Sequence, residues 1–336
     1  MKGLKVILPV AGSGTRLRPH TLTRPKVLLG VAGKPILGHI MEEIINLPLS
    51  EVIFIVGHLG KQIETYITSN FRVKTRFIFQ KEQKGLGHAI YLTKEFIESD
   101  DDLIIILGDT IFEVNLNDII KSKISIIGVK EVENPSRFGV VQLKDGKVKG
   151  FVEKPEKFIS NLAIVGIYFI KQPKELLNGL EEIIKNGLQT RGEFQLTDGL
   201  QSLVEKGHEI GIFPVEGWFD CGKPETLLAT NQHLLEKYHK EVTIKGSFII
   251  PPVLIGKDVK IKRSIIGPYV SIEAGCRIDD SIIKNSIIYS NSSVSMSILF
   301  DSIIGEFVTV KGSLQSLNAG DFPQIVQRQK KQQTQN

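Results

Sequence analysis

The chain has 336 residues, of which 41% are hydrophobic and 24% are charged, and its net charge is +5 at pH 7. This balance is typical of a soluble globular protein with room for two domains. Two cysteines cannot build a disulfide framework, so a reducing cytoplasm is expected. No leader pattern is seen, and the longest apolar run, residues 162–170, is too short to cross a bilayer. We therefore expect a cytoplasmic protein without a membrane partner.

Positive charge is concentrated near the start of the chain. Residues 1–40 contain no aspartate or glutamate and seven cations, namely Lys2, Lys5, Arg16, Arg18, Arg24, Lys26 and Lys34. Elsewhere most cations alternate with acids, so no broad basic face is expected and nucleic-acid binding is disfavoured. The local cluster favours a site for a small polyanion, and a solvated basic surface is the alternative.

Short apolar runs alternate with helix-like segments up to about residue 240. The predicted strands are Val6–Val10, Val52–Val56, Arg76–Gln80, Leu103–Leu107 and Ile124–Val129. The predicted helices begin near Pro35, at Leu86 (ending near Glu98), at Leu176, at Leu196 and at Pro224. This alternation predicts a Rossmann-like α/β fold, with a mostly parallel sheet flanked by helices. Residues 144–146, Lys-Asp-Gly, are typical of a β-hairpin turn, so part of the predicted sheet is antiparallel.

The pattern changes after about residue 242, where aliphatic residues recur every five to seven positions. Examples are Ile255-Gly256, Ile266-Gly267, Ile278-Asp279 and Ile304-Gly305. This hexapeptide pattern predicts a left-handed β-helix with one aliphatic side chain per face pointing inward. A β-sandwich would need two-residue alternation, which is absent. The predicted domains are 1–241 (α/β), 242–322 (β-helix) and 323–336 (a flexible polar tail).

The first predicted strand leads into a glycine loop, Gly12-Ser13-Gly14. Ligands of open α/β sheets bind where the strands end, and glycines allow backbone N–H groups to approach an anion closely. Arg16 then offers a planar fork of donors, and Lys26 adds a point charge. Leu17 stands where the dinucleotide fingerprint needs a third glycine, and a Walker pattern is absent. The loop therefore predicts a phosphate site that is not of the NAD or P-loop kind.

Asp109 comes two residues after the predicted strand Leu103–Leu107. A carboxylate at a strand's carboxyl end, next to a phosphate site, suits Mg²⁺, which prefers one or two carboxylates together with phosphate oxygens. A Gly-Asp pair at a strand end also commonly makes a turn, so the pattern by itself leaves both interpretations open.

The segment AGSGTRLRPHTLTRPK, residues 11–26, resembles the signature of the sugar nucleotidylyltransferases, also called sugar-nucleotide pyrophosphorylases. Further segments similar to that family follow in order: QKEQKGLGHAI (80–90), LGDT (107–110), RFGVV (137–141), EKP (153–155), GIYFI (166–170), GEFQLTD (192–198) and GWFDCGKPE (217–225). The likeness covers about residues 1–240, and the hexapeptide region matches the long members. The resemblance is greatest to long-type glucose-1-phosphate thymidylyltransferases.

The resemblance implies that a sugar-1-phosphate oxygen attacks the α-phosphorus of a nucleoside triphosphate in line, and that pyrophosphate leaves. Positioning and electrostatic stabilisation dominate such chemistry. Arg16 and Lys26 would be the catalytic cations, and Asp109 and Asp220 would hold Mg²⁺. The implied nucleotide-binding residues are Ala11, Gly12, Ser13, Gly14, Thr15, Arg16, Gln80 and Gly85. The implied sugar-phosphate-binding residues are Lys26, Gly139, Glu153, Lys154 and Asn161.

Two departures leave the choice of nucleotide open. Thr110 follows Asp109 where the family usually has Asn, and Cys221 follows Asp220 where it usually has Thr. The GLGHAI segment also resembles uridylyltransferases acting on glucose-1-phosphate. The expected donor is dTTP, UTP is the alternative, and a GTP-dependent mannose-1-phosphate guanylyltransferase is a weaker third.

Two other classes of protein compete with these enzymes. A β-helix acyltransferase commonly uses a histidine base, but all seven histidines precede residue 242. A non-catalytic regulatory subunit would not need the intact glycines, cations and carboxylates of the signature. The flat sides of a β-helix favour self-association, so a homo-oligomer is expected.

Overall fold

The structure is a computed structural model that describes residues 3–238, 241–312, 318–322 and 324–326. The chain packs as two compact units. Residues 1–13 and 39–218 form one, the sheet unit, and residues 14–38 and 219–336 form the other, the solenoid unit. The domain boundaries expected at 241/242 and 322/323 stay predictions. Residue 323 and residues 327–336 of the expected tail lie outside the described residues.

Thirteen strands and seven α-helices are described before residue 239. The strands are β1 Leu4–Pro9, β2 Gly30–Val31, β3 Lys34–Pro35, β4 Leu49–Val56, β5 Thr75–Phe79, β6 Asp102–Ile106, β7 Thr110–Glu113, β8 Ser125–Glu131, β9 Gly139–Lys144, β10 Lys147–Glu153, β11 Leu162–Ile170, β12 Ile210–Pro214 and β13 Gly217–Asp220. The helices are α1 Ile36–Ile44, α2 Gly60–Asn70, α3 Leu86–Tyr91, α4 Leu116–Ile119, α5 Pro173–Lys185, α6 Leu196–Glu205 and α7 Pro224–Tyr238. Short 3₁₀ turns occupy Thr15–Leu17, His20–Leu22, Lys26–Leu28, Lys94–Phe96 and Pro135–Arg137.

The large sheet of the sheet unit has the order β10-β9-β11-β6-β1-β4-β5, with β8 pairing β11 and β12. Strands β6, β1, β4 and β5 are parallel, whereas β11 runs antiparallel to β6. Their aliphatic runs are buried, as shown by Ile7, Ile53 and Ile105, which are fully inaccessible. Buried side chains of α3, α5 and α6 share this core. The prediction of a mixed, mostly parallel sheet flanked by helices is confirmed.

The predicted helix from Leu86 to about Glu98 is shorter than expected. It ends at Tyr91 and is followed by a 3₁₀ turn at Lys94–Phe96. The Thr93 hydroxyl donates to the Ile90 carbonyl at 2.7 Å, and the Thr93 N–H donates to the same oxygen at 3.0 Å. Threonine side chains compete for backbone groups in this way, which closes the helix early.

Among the described residues no helix has the length and apolarity needed to span a membrane.

The hexapeptide region forms three stacked parallel sheets, which confirms the predicted left-handed β-helix. Its strands are β14 Phe248–Ile249, β15 Val253–Ile255, β16 Lys260–Lys262, β17 Ile265–Ile266, β18 Val270–Ile272, β19 Arg277–Asp279, β20 Ile282–Lys284, β21 Ser286–Ile288, β22 Ser293–Ser295, β23 Ile298–Phe300, β24 Ile303–Ile304, β25 Thr309–Lys311, β26 Asn318–Ala319 and β27 Gln324–Val326. The sheets are β14-β17-β20-β23, β15-β18-β21-β24-β26 and β16-β19-β22-β25-β27.

One aliphatic residue per strand fills the interior of the β-helix, as the repeat predicts. Ile266, Ile283 and Leu299 are aligned on successive coils and are fully buried. Cys276 is also buried there, and burial raises the pKa of its thiol to about 11. This thiol is therefore a packing group that stays protonated near neutral pH.

Candidate functional site

Four neighbouring strands of the sheet unit end at one edge, and predicted site residues follow three of them. Ala11–Ser13 follow β1, Gln80 follows β5 and Asp109 lies just after β6, while Gly57 follows β4. Because these strands are parallel, their carboxyl ends lie on the same edge of the sheet. The parallel order β5-β4-β1-β6 places the first strand in the middle, where open α/β sheets bind ligands.

The backbone of the glycine loop is held close to the sheet through Ala11. The Gln83 side-chain amide donates to the Ala11 carbonyl at 2.8 Å, and the Val10 N–H donates to Ile55 O at 2.8 Å. Gly57 allows this approach, because a Cβ atom built there would lie 2.7 Å from Ala11 O. At Gly12, by contrast, an added Cβ meets no described atom within 4 Å. The loop is fixed on one side and open on the other, as an anion site requires.

Gln80 is buried at the end of β5 with its amide nitrogen already engaged. Its Nε2 lies 3.2 Å from His88 Nδ1 and 3.5 Å from the Gly85 carbonyl oxygen. Burial, reinforced by Lys84, lowers the pKa of His88, so the imidazole is neutral near pH 7 and its Nδ1 can accept. Gly85 has φ +106°, and a Cβ there would lie 2.5 Å from Phe194 O. The described hydrogen bonds thus use the Gln80 amide nitrogen and do not use its oxygen.

Asp109 follows β6 through a tightly packed turn. The Leu107 N–H donates to Gly166 O at 2.9 Å, and Gly166 has φ +91° with no room for a Cβ beside the Leu107 side chain. The Thr110 hydroxyl donates to the Asp109 carboxylate at 3.4 Å. The carboxylate is thus oriented at the edge where the glycine loop begins.

Three of the predicted sugar-phosphate residues lie together on the β9–β10 hairpin. Gly139 and Glu153 are paired in register, and Glu153 accepts from the Thr197 hydroxyl at 3.2 Å. The Lys154 ammonium lies 3.3 Å from Glu153 Oε1. Asn161 is exposed and instead lines a cavity of about 530 Å³ whose walls do not include these three residues.

The remaining predicted residues belong to the solenoid unit. Gly14 has φ +61°, and its carbonyl accepts from the Thr21 hydroxyl at 2.8 Å. An added Cβ at Gly14 would lie 2.9 Å from Thr21 Cγ2 and 3.0 Å from Lys26 Cβ, so the turn and Lys26 are in contact. Lys26 is buried to 8% exposure, whereas Thr15 and Arg16 are exposed.

Arg16 and Asp220 meet at Gly222. A Cβ built at Gly222 would lie 2.7 Å from Asp220 Oδ1 and 2.9 Å from Arg16 Nη2. Asp220 also accepts from the Gly222 N–H at 2.8 Å and from the Thr226 hydroxyl at 3.4 Å, just before and inside the first turn of α7. These two bonds fix the carboxylate in the turn before α7, and the Arg16 guanidinium lies close to the same turn.

Sequence reasoning did not find four supporting residues: Thr21, Gly57, Gln83 and Thr197. Gln83 lies inside the segment that resembles the family, and Gly57 directly follows a predicted strand. Those positions were available as signals. Thr21 and Thr197 also lie inside family-like segments. Thr21 bonds to Gly14 seven residues earlier, whereas the bond of Thr197 to Glu153, 44 positions away, leaves no sign in the sequence.

The chain matches a known protein family over most of its length. The match is to the nucleotidyl transferase family and covers residues 5–237. The chain belongs to this family. This confirms the resemblance inferred from residues 11–26 and from the segments that follow, and it makes the protein a sugar-1-phosphate nucleotidyltransferase.

Relatives of the chain carry several names. It is 33% identical to the low-salt glycan biosynthesis nucleotidyltransferase Agl11 of Haloferax volcanii, over 90% of this chain and 92% of that protein. It is 30% identical to a glucose-1-phosphate thymidylyltransferase of Streptomyces antibioticus, over 95% and 97% of the two chains. A crystal structure of UDP-glucose pyrophosphorylase complexed with UDP-glucose matches with a TM-score of 0.60 and 27% identity, covering 71% of this chain and all of that one.

We predict that alanine destabilises the protein at one of the two loop glycines and has little effect at the other. Gly14→Ala places a side chain at positive φ against Thr21 and Lys26 and should cost about 1–3 kcal/mol in the free energy of unfolding. Gly12→Ala points into open space and should change the free energy of unfolding by less than about 0.5 kcal/mol. Urea denaturation of both variants measures the difference. Equal destabilisation by the two substitutions would contradict the described turn.

Proposed function

We propose that the protein joins glucose-1-phosphate to a pyrimidine nucleoside triphosphate and releases pyrophosphate, with dTTP as the preferred donor and UTP as the alternative. The preference for a uracil or thymine base is inferred from the orientation of the Gln80 side chain. With Nε2 engaged by His88 and Gly85, its oxygen is an acceptor. Uracil and thymine carry a donor at N3, whereas cytosine carries an acceptor there. The glutamine thus favours uracil and thymine over cytosine.

The phosphate chain would lie along the backbone of Ala11–Thr15, for which the open face of Gly12 supplies room. Arg16 would neutralise charge developing on the α-phosphate and the leaving pyrophosphate, and Lys26 would bind phosphate oxygens of the sugar phosphate. Both substrates are polyanions, so fixed cations lower the cost of bringing them together. The attack is in line and needs no covalent nucleophile.

The sugar phosphate would be held by residues around the β9–β10 hairpin. Glu153, oriented by Thr197, would accept from sugar hydroxyls, and Lys154 would bind the phosphate. Gly139 leaves space beside the Glu153 carboxylate. A side chain at this position would fill that space, since its Cβ would lie 3.0 Å from Glu153 Oε2. Asn161 is proposed as a further sugar contact by family resemblance.

Magnesium fits the donor chemistry of Asp109 and Asp220. Among the residues that the structure describes, no cluster of three or more His, Cys, Asp or Glu can hold a metal ion. Mg²⁺ needs only one or two carboxylates when phosphate oxygens complete its shell, and both aspartates offer oxygen ligands. When bound, the ion would neutralise phosphate charge; Asp109 and Asp220 would orient it.

The thymine methyl group and the missing 2′-hydroxyl group distinguish dTTP from UTP, and one methyl group is worth about 1–3 kcal/mol in an apolar pocket. The long thymidylyltransferase of Streptomyces antibioticus, which matches nearly end to end, supports dTTP. The UDP-glucose pyrophosphorylase structure supports UTP. A guanylyltransferase acting on mannose-1-phosphate would need space for a purine beside Gln80.

The two free, buried cysteines support a reducing cytoplasm as the site of this reaction.

Competing classes find less support. A relative from Methanococcus vannielii, 35% identical, is named bifunctional protein GlmU, and the chain covers 78% of its length. Residues 242–336 of this chain contain no histidine to act as an acyl-transfer base, and Cys276 is a buried packing group. A regulatory subunit without catalysis would not need Gln80 held by His88.

The first prediction of this proposal concerns the donor. Pyrophosphate release with glucose-1-phosphate and Mg²⁺ should be seen with dTTP and UTP and be roughly a hundredfold or more slower with CTP, because CTP lacks the N3 donor. UTP and CTP are matched in size, so their ratio reports the hydrogen-bond pattern alone. ATP, GTP and other sugar-1-phosphates complete the matrix. Absence of pyrophosphate with every pair would refute the proposed function.

The second prediction concerns the metal ligands. Asp109→Asn and Asp220→Asn should each lower turnover by roughly a hundredfold or more while the circular dichroism spectrum is unchanged. Asp145→Asn, in the exposed β9–β10 turn, removes the same charge far along the hairpin and should keep full activity. Near-normal rates in both test variants would contradict the metal assignment.

The homo-oligomer is proposed to form through one of the three faces of the β-helix. The face of β16 and β19 is charged, with Lys260, Lys262 and Arg277 exposed. The face of β18 and β21 is covered by α7, where Ser271 donates to Asn231 at 2.7 Å. The face of β14-β17-β20-β23 presents one row of uncharged outward residues beside the exposed Lys284. Its outward residues are Phe248, Ile265, Ile282 and Ile298, in register on successive coils.

This row of one phenylalanine and three isoleucines can pack against the same row of another copy, so a second copy of this chain is its proposed occupant. Ile282 is 38% exposed, and a charge at this position should therefore prevent the proposed contact between copies. Ile282→Lys should shift the mass measured by size-exclusion chromatography with light scattering from oligomer to monomer. Lys262→Glu on the charged face should leave the mass unchanged. A monomeric wild-type protein would rule out the assembly.

A further inference from the structure

The segment that follows the glycine loop lies on the last described coils of the β-helix. We call residues 14–30 the signature segment; it contains Arg16, Lys26 and the Gly14 turn. All of it, together with the coils it contacts, belongs to the solenoid unit. The contacts come from four successive coils of the β-helix, at residue 273, residues 289–290, residue 306 and residues 318–321.

A chain of acids holds the middle of the signature segment. Arg24 forms an ion pair with Glu306, and their side chains are 17% and 27% exposed. Thr23 donates its hydroxyl to Asp321 Oδ2, while Asp321 Oδ1 accepts from the Glu306 N–H at 2.8 Å. Asp321 therefore ties two neighbouring coils together and binds the segment with the same carboxylate. Partly buried, charge-assisted contacts of this kind are stronger than surface pairs.

A buried aromatic contact lies beside the acids. His20 is 1% exposed, and its Nε2 lies 2.6 Å from Asn318 Oδ1. The His20 ring meets the edge of Tyr289 at 5.9 Å between centroids. Pro19 packs on Gly320 so closely that a Cβ at that glycine would lie 2.8 Å from Pro19 Cβ. The segment is therefore packed on the coils as well as hydrogen-bonded to them.

The end of the segment is fixed in the same way. The Tyr289 hydroxyl, fully buried, donates to Gly30 O at 3.3 Å, and the Arg24 guanidinium lies 5.5 Å from the Tyr289 ring centroid. Glu273, which accepts from both the N–H and the hydroxyl of Ser290, occupies the space where a Cβ of Gly30 would be. A side chain at this position would require the Glu273 carboxylate to move.

These contacts continue to the predicted phosphate-binding groups. Thr21, between His20 and Thr23, donates to the Gly14 carbonyl, and Gly14 packs on Lys26. Lys26 follows Arg24 by two residues. The position of the glycine turn and of Lys26 is therefore set by groups that are themselves held by residues about 280–300 positions later in the chain.

We propose that the last coils of the β-helix position the signature segment for nucleotidyl transfer, with Glu306 as the principal positioning residue. This rests on the proposed function for its catalytic consequence. It assigns the β-helix a role in the reaction besides assembly: its acids hold Arg24, and Arg24 and its neighbours hold Lys26 and Gly14. None of these acids touches the substrates.

Glu306→Gln in the full-length protein tests the proposal. It removes the charge that holds Arg24 and should speed amide hydrogen exchange in peptides covering residues 14–30. It should also lower kcat/KM roughly tenfold to a hundredfold, the effect of misplacing phosphate-binding groups. Thr23→Val, which removes only the donor to Asp321, should move both readouts in the same direction to a smaller extent. It serves as the test if Glu306→Gln fails to fold.

Asp280→Asn is the matched control. Asp280 pairs with Arg263 through two bonds of 2.6 and 2.7 Å on the exposed side of the β-helix, away from the signature segment. Its loss should change neither exchange in residues 14–30 nor kcat/KM. Unchanged exchange in both Glu306→Gln and Thr23→Val would overturn the proposal whatever the activity, and faster exchange with unchanged kcat/KM would overturn its catalytic part. A wild-type protein that releases no pyrophosphate refutes the proposed function instead, and the exchange result still decides whether the coils hold the segment.

Discussion

Neutralisation of the early cations is the constraint on which the solenoid unit depends. The first 40 residues contain seven cations and no acid, so this stretch cannot balance its own charge. Like charges held close together repel, and a partly buried arginine without a partner is costly. The structure supplies a carboxylate from the far end of the chain, because Glu306 pairs with Arg24, and Asp321 holds the neighbouring Thr23. The β-helix thus makes a dense cationic turn possible within a folded unit.

This constraint explains why one arginine of the signature segment is paired while another stays exposed. Arg24 lies on the coils, is largely buried and contacts Tyr289. Arg16 is exposed and meets only the edge of the Asp220 and Gly222 turn in the contacts described. A cation that is fully neutralised contributes little field to a substrate, whereas an exposed one can still attract phosphate. The segment therefore separates a structural cation from one that remains available to a polyanion.

Local sequence patterns predicted the fold well, but they could not predict contacts between residues far apart in the chain. The strands at Val52–Val56 and Leu103–Leu107, and the inward aliphatic residues of the β-helix, follow from burial on both faces and from periodicity, which act within a few residues. The early end of α3 depends on a hydroxyl of Thr93 that competes with the helix. The contacts of His20 with Asn318 and of Thr23 with Asp321 join residues 298 positions apart. No periodicity contains such information, so the contacts of the last coils were not predictable, although the positions of the glycine loop and Asp109 after their strands were.

The two departures from the family signature are conservative in physical terms. Thr110 replaces an amide after Asp109, yet its hydroxyl still donates to that carboxylate, and its buried position in β7 suits a β-branched residue. Cys221 replaces a threonine after Asp220; it is fully buried and its sulfur lies 3.7 Å from the Thr230 hydroxyl. In both places the neighbour of the aspartate packs inward and the carboxylate keeps its own hydrogen bonds. The chemistry expected of the two aspartates therefore depends on the turns that hold them, and these turns accept either side chain.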